Sequence, residues 1–279
     1  MPRRSDGTSI ERLPALRRMM PFLIPRRNDA FVLFEQTIET APLRGLIERL
    51  NAGRPEAERV TLFHCVLRAI GLALTDFPRL NRFVAGRRLW ERRGIWLTLS
   101  AKQRLDRDAP VFSTKIRFDP SEPLVRFVER LREDLVRGRR GDAASDREIG
   151  VLLRLPRVLL RLLTWLQPRL DAVGLLPHRL IDDDPLYASA FVANLGSVGL
   201  DAAYHHLFEY GTVPIFVTMG RVHKAPVVRD DGSVGSREVF VLRYTYDERI
   251  EDGFYAARAL EKLAAYLGDP TALSGASLE

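Results

Sequence analysis

Tyr246-Asp247-Glu248-Arg249-Ile250-Glu251-Asp252-Gly253 stands near the C-terminus, between a strand-like apolar run over 238–246 and a helical pattern over 253–267. Upstream of it the chain alternates strand and turn: 190–194, 215–221 and a hairpin around Asp230-Asp231-Gly232. Further back, 31–39 is rich in aromatic and β-branched residues and predicts a strand, as do 95–100 and 111–118. Residues 42–50 place Leu43, Leu46, Ile47 and Leu50 on one helical face, and 123–140 does the same with Leu124, Phe127, Val128, Leu131 and Leu135. Thr61 is a natural N-cap for a longer helix that reaches Asp76 and stops before Pro78. The pattern is mixed α/β, with no fixed-period repeat and no low-complexity linker, and it predicts one domain over 1–279.

Composition narrows the function classes. The 279 residues are 46% hydrophobic, an ordinary globular value, and the net charge of +7 is carried almost wholly by Arg. Such a surface is either simply solvated or meets acidic partners such as CoA phosphates, lipid headgroups or nucleic acid. No basic platform interleaved with aromatics supports nucleic acid. The one cysteine, Cys65, excludes an internal disulfide and lies in an apolar helical run, the setting of a buried structural thiol. No His/Cys/Asp spacing marks a metal site, and no tightly bound cofactor is expected; Asp182-Asp183-Asp184-Pro185 is a cation site or a solvated turn. The first twenty residues lack an apolar signal core, and no uncharged apolar run approaches the span of a bilayer. The expectation is a cytoplasmic protein, at most peripheral to a membrane.

The Tyr246–Gly253 stretch resembles the D-H-R-x-x-D-G signature of the catalytic core of dihydrolipoyl acyltransferases, the acyl-transferring subunits of 2-oxo acid dehydrogenase complexes. It is also similar to the H-x-x-x-D-G motif of chloramphenicol acetyltransferase, which shares that fold. Other pieces follow in the family's order. Phe77-Pro78-Arg79-Leu80-Asn81 is similar to a helix end reading F-P-x-L-N, Ala193-Asn194-Leu195-Gly196 resembles an S-N-L-G turn, and 214–222 and 226–228 resemble the strands that follow it. Residues 13–39 look like the basic helix and extended segment with which these cores open. The resemblance covers most of the chain. It implies a CoA-dependent acyltransferase fold, with a mixed sheet and flanking helices, and acyl transfer from CoA or from a lipoyl or other carrier thioester. It further implies CoA or acyl-CoA as co-substrate and a homotrimer with active sites between subunits. No lipoyl domain, subunit-binding module or Ala/Pro-rich linker precedes the core, so a lipoyl or acyl-carrier arm is expected on a partner protein.

Two motif positions depart from the family. There the signature His is the general base and the hydroxyl residue of the S-N-L-G turn donates to the oxyanion; here these positions hold Glu248 and Ala193, the latter beside Asn194. A carboxylate is mismatched to a thiol acceptor by about four pKa units, on the order of 5–6 kcal/mol, where imidazole is mismatched by about two. Burial would raise a glutamate toward the thiol, whereas the adjacent Arg249 would draw it down. Two readings stand. In one, Glu248 is an ion-pairing residue in a retired site, and the chain is an inactive homologue serving assembly, scaffolding or ligand binding. In the other, Glu248 is an unusual base. The resemblance implies an architectural role for Asp252, paired with an Arg that fixes the loop, and Arg17 and Arg18 are candidate partners. A charge at the start of the last helix explains Asp252 equally well.

The histidines offer a displaced base only weakly. His205, His206 and His223 read as partly exposed residues and His64 as a satisfied core residue. The segment 151–176 lies outside the family pattern. It is dense in Leu, carries spaced Arg and Trp165, and its prolines Pro156 and Pro168 bracket a helix of about a dozen residues. It is expected at a boundary: an inserted element packed on the core or a neighbouring subunit, an interfacial helix on an anionic membrane, or a lid over an acyl chain.

Overall fold

The computed structural model describes residues 4–102, 111–139, 150, 153–228 and 231–275. A six-strand path, β2-β10-β8-β7-β5-β6, forms the main sheet from β2 (Phe31–Glu39), β5 (Ile95–Lys102), β6 (Val111–Phe118), β7 (Ala190–Asn194), β8 (Ile215–Met219) and β10 (Val234–Asp247). β5, β7 and β8 are parallel, the other pairs are antiparallel, and β9 (His223–Val228) pairs with the first half of β10. The sheet is therefore mixed, as expected. Asp230 lies outside the described residues, as do Val151 and Leu152.

Alternation along the strands builds two cores. Leu97, Leu99, Ala190, Val192, Ile215 and Val217 face one side, where α2 (Ala41–Asn51), α3 (Leu62–Asp76) and α7 (Gly253–Gly268) cover them. Phe191 and Phe216 face the other side, in a smaller cluster with Ala188, Leu207 and Val213. All five residues of β8 are buried, which is why it reads as an unbroken apolar run. The strand expected to reach Arg221 stops at Met219, because the Arg221 N–H turns away to the Leu200 carbonyl. α3 starts in a capping box, the Thr61 N–H donating to His64 Nδ1 at 3.1 Å, so His64 is the satisfied buried residue expected. Burial, with Arg132 nearby, holds the His64 imidazole down at about 4, and burial pushes the Cys65 thiol up to about 12.

A second, small sheet, β1-β4-β3, joins β1 (Gly7–Ser9) to the hairpin of β3 (Arg82–Ala85) and β4 (Arg88–Arg92). Its two-residue turn needs positive φ at both Gly86 (59°) and Arg87 (57°), the primed geometry that suits a twisted hairpin. A Cβ on Gly86 would lie 2.3 Å from the Ala172 carbonyl oxygen, so the hairpin tip is seated against the end of α5 (Arg157–Ala172).

α5 is the inserted segment, and it corrects two expectations. Pro168 does not end the helix: α5 runs for sixteen residues with Pro168 inside it. Its Leu face is also not packed on the core, because within it only Asp171 is buried. Val158 is 80% exposed, Leu162 52% and Trp165 54%. Among the described residues the helix is moored at its C-terminal end. Arg4 reaches the Asp171 carboxylate at 2.7 Å, Gln167 donates to the Tyr187 hydroxyl, and Leu170 packs on Leu176, Ile181 and Tyr187.

Candidate functional site

The signature loop leaves β10 at Asp247 and enters α7 at Gly253. Its frame is a buried charge network. Arg249 grips Asp247 with two parallel bonds, Nε to Oδ1 at 2.8 Å and Nη2 to Oδ2 at 2.7 Å, and its Nη1 donates to the carbonyls of Ile24 and Pro25. Arg27, also buried, lies 3.8 Å from Asp247 and ties the loop to the carbonyls of Phe208 and Gly211. Burial, with Arg249 adding to it, holds the Arg27 guanidinium below its ordinary value against the pull of Asp247. Glu251 is buried too and meets Arg82 at 2.9 Å, Arg79 at 3.6 Å and Arg17 at 3.7 Å.

Glu248 sits inside this frame with its main chain fastened at both ends. Its N–H donates to the Ala30 carbonyl at 2.9 Å, and its carbonyl accepts from Arg17 Nη1 at 2.6 Å. Among the described residues its partly exposed carboxylate has no hydrogen bond or ion pair. The ion-pairing reading of Glu248 is thereby corrected for one protomer. Arg249 is committed to Asp247, and Arg17 to the Glu248 carbonyl and Glu251. Asp252 caps α7, accepting from the Tyr255 N–H at 2.9 Å, which holds its carboxyl below the usual range. Of its two candidate partners, Arg17 is the one within reach, at 4.0 Å. The pair that fixes the loop is not Arg17–Asp252 but Asp247–Arg249, which the motif reading missed although both residues stand in the quoted stretch.

Ala193 and Asn194 end β7 in a tight turn. The Asn194 Oδ1 accepts from the Ser197 N–H at 3.1 Å, and the Ser197 hydroxyl donates to the Asn194 carbonyl at 2.7 Å. A Cβ on Gly196 would lie 2.6 Å from the Gly220 carbonyl oxygen, which explains the glycine. Strand register places Ser113, Ser100, Ala193, Thr218 and Arg243 in one row across the sheet, on the face away from α3 and α7. Thr218 donates to the Ala203 carbonyl, whereas Ser100, partly exposed on the strand beside Ala193, puts a hydroxyl next to the position where the family motif has one. His205 stacks on Phe216 at 3.9 Å and is pushed down by burial, while His206 and His223 are exposed.

The same register separates the two halves of the motif. Ala193 is level with Arg243, and Glu248 lies five residues further along β10 and two strands across. At strand spacings this is about 16 Å along the sheet and about 10 Å across it. One protomer does not bring Glu248 and Ala193 together. Among the described residues no His/Cys/Asp/Glu group could hold a metal, and the 182–184 run ends the short helix His178–Asp182, with Asp184 accepting from the Leu186 N–H and the Tyr210 hydroxyl.

Residues 179–274 match the family model for the catalytic domain of 2-oxoacid dehydrogenase acyltransferases. Similar solved structures span nearly the whole chain. The cubic core of a pyruvate dehydrogenase multienzyme complex is 17% identical, with 95% of this chain and 93% of that one covered at a TM-score of 0.62. An Azotobacter vinelandii dihydrolipoamide acetyltransferase, studied for the roles of a serine, a histidine and an asparagine in its mechanism, is 18% identical over 95% and 93% of the two chains, TM-score 0.61. A chloramphenicol acetyltransferase is 11% identical over 94% and 99%, TM-score 0.55. No curated protein sequence matches the chain. The chain thus has the acyltransferase-core fold throughout, and its C-terminal third carries the sequence pattern of the 2-oxoacid dehydrogenase acyltransferase catalytic domain.

Proposed function

We propose that this protein is an acyltransferase of CoA or carrier thioesters, working as a homotrimer in which the Glu248 loop of one copy meets the Ala193–Asn194 turn of the next. The observation that carries this reading is the register: the two halves of the motif lie at opposite ends of one protomer's sheet, so only a second copy can complete the site. The oligomeric core among the similar structures supports it. In this site Glu248 is the base, fixed through its own main chain and free at its carboxylate. It is a slow base toward a thiol, because a carboxylate is a weaker base than the imidazole that the family motif has at this position. With a methyl group at Ala193, one oxyanion donor is missing, a loss of about 10²–10³ in rate by the magnitude seen when such a donor is removed. Acetyl transfer from acetyl-CoA to dihydrolipoamide should therefore be weak, fall further in Glu248→Gln, and rise when Glu248→His and Ala193→Ser are combined. Wild-type transfer indifferent to Glu248→Gln contradicts a base at this position and favours the ligand-binding or assembly reading.

For α5 we infer an anionic membrane surface as partner. Its exposed Val158, Leu162 and Trp165 are accompanied by Arg154, Arg157, Arg161 and Arg169, with no acidic residue from 153 to 170. Arg169 lies 3.7 Å from the centre of the Trp165 ring, an amphipathic pairing suited to headgroup depth. No helix among the described residues is long and apolar enough to cross a membrane. Sedimentation with anionic but not zwitterionic vesicles, lost in Leu162→Glu, is the expected result. If Leu162→Glu instead dissociates the oligomer and leaves vesicle binding alone, the helix face belongs to a second copy.

A further inference from the structure

The row of side chains that runs through Ala193 carries three hydroxyls: Thr218 on β8, Ser100 on β5 and Ser113 on β6. Thr218 is committed, donating to the Ala203 carbonyl at 2.6 Å. Two residues before Ser100 on the same strand, Thr98 is committed as well, donating to the Pro185 carbonyl at 2.6 Å. The turn beyond Ala193 uses its own polar groups internally, the Ser197 hydroxyl on the Asn194 carbonyl and the Asn194 side chain on the Ser197 N–H. Ser100 is left open. It is partly exposed, and among the described residues its hydroxyl has no hydrogen-bond partner.

Ser100 is also the immediate neighbour of Ala193. The two are register partners in the parallel β5–β7 ladder, and Leu99 and Val192 turn into the core on the α3 side, so Ser100 and Ala193 share the opposite face. Adjacent strands are about 4.8 Å apart. An oxygen about 1.4 Å above the midpoint of two hydroxyls at that spacing is about 2.8 Å from each, within the donor range for an oxyanion. A hydroxyl on β5 therefore reaches the oxygen that a hydroxyl at position 193 would reach. Ser113, one strand further and about 9.6 Å from position 193, does not.

We propose that Ser100 donates the hydrogen bond to the reacting carbonyl oxygen that Ala193 cannot give. The inference rests on the acyl-transfer reading of this site. In that reaction Glu248 of the neighbouring copy takes the proton of the acceptor thiol, the sulfur adds to the thioester carbonyl carbon, and the π pair moves onto oxygen. Ser100 donates to that oxygen and keeps its own proton. When the pair returns, the bond to the CoA sulfur breaks and the CoA thiolate takes the proton back from Glu248, leaving the acyl group on the acceptor. The oxygen is negative only between these two steps, so Ser100 contributes to rate and not to substrate binding. It offsets part of the rate lost at Ala193.

Steady-state transfer from acetyl-CoA to dihydrolipoamide tests this with Ser100→Ala in two backgrounds. In the parent, kcat should fall at least about tenfold with KM for acetyl-CoA unchanged, and the variant should melt as the parent does. In Ala193→Ser, where position 193 donates, the same Ser100→Ala change should lower kcat by no more than about threefold. Ser113→Ala should transfer at the parent rate. Transfer that falls in Glu248→Gln but not in Ser100→Ala would overturn the role of Ser100 and leave the acyl-transfer reading standing. An equal loss from Ser100→Ala in both backgrounds would also overturn it, as the mark of a displaced strand. Transfer indifferent to both Glu248→Gln and Ser100→Ala would overturn the role together with the reading.

Discussion

The signature loop and α5 are both rich in charge, yet the fold treats them oppositely. In the loop, Asp247, Arg249 and Glu251 are buried together with Arg27, which reaches them from 220 residues upstream, and each is matched by an opposite charge or by main-chain carbonyls. On α5 the arginines stand in solvent beside exposed Leu and Trp, and among the described residues the anchoring is at one end of the helix. A single protomer over-determines the loop and under-determines the helix. Buried pairs of the first kind fix geometry, because removing one partner strands a charge where water cannot reach it. An apolar face of the second kind contributes little to the protomer's own stability and waits for a second surface.

The sharpest way to break this contrast is to mutate both regions and compare unfolding. Asp247→Ala should destabilise by about 3–5 kcal/mol, since it leaves Arg249 and Arg27 buried without a counter-charge. Leu162→Glu should move the protomer's stability by no more than about 0.5 kcal/mol. Similar losses in denaturant melts of the two variants would mean that α5 is packed after all.

Acid extends the comparison to a third buried group. His64 has its folded pKa lowered to about 4, so neutral His64 stabilises fully above the unfolded value near 6.5 and that stability is lost as pH falls from there toward 4. The loss should be on the order of 3 kcal/mol and should flatten in His64→Gln, whereas Leu162→Glu should leave the pH profile of unfolding unchanged. A profile in the parent that is level between pH 7 and 4 would contradict the buried neutral imidazole.

The smallest effect belongs inside the loop itself. Glu248 is its one uncommitted carboxylate, so Glu248→Gln should change stability by no more than about 0.5 kcal/mol while removing a base. A loss the size of that in Asp247→Ala would show Glu248 to be part of the frame.

Most of the main sheet was legible because its strands and helices signal locally. Phe31–Glu39 and Ala190–Asn194 have the composition of strands, and Thr61 and Pro78 punctuate α3. The β3–β4 hairpin was not, since Gly86-Arg87 is an unusual primed turn in a charged stretch. Pro168 was misread as a stop, because an exposed helix that bends to no neighbour tolerates a missing N–H. At the site, positions were legible and partners were not. Arg249 stands next to Glu248 in the chain but turns to Asp247, and the Arg4–Asp171 pair spans 167 residues. Which charge meets which is decided by topology, and so is the distance between Glu248 and Ala193.

That distance is the most direct test of a site shared between copies. Cys65 is buried, so cysteines introduced by Glu248→Cys and Ala193→Cys are the reactive ones. Treating the double variant with a short bismaleimide should link separate chains, giving dimer and trimer bands on a denaturing gel and no intrachain product in the digest. Mixing the two single variants should give interchain links as well. A monomer carrying a 193–248 intrachain link, or chains that stay unlinked at concentrations where light scattering reports a trimer, would contradict the account.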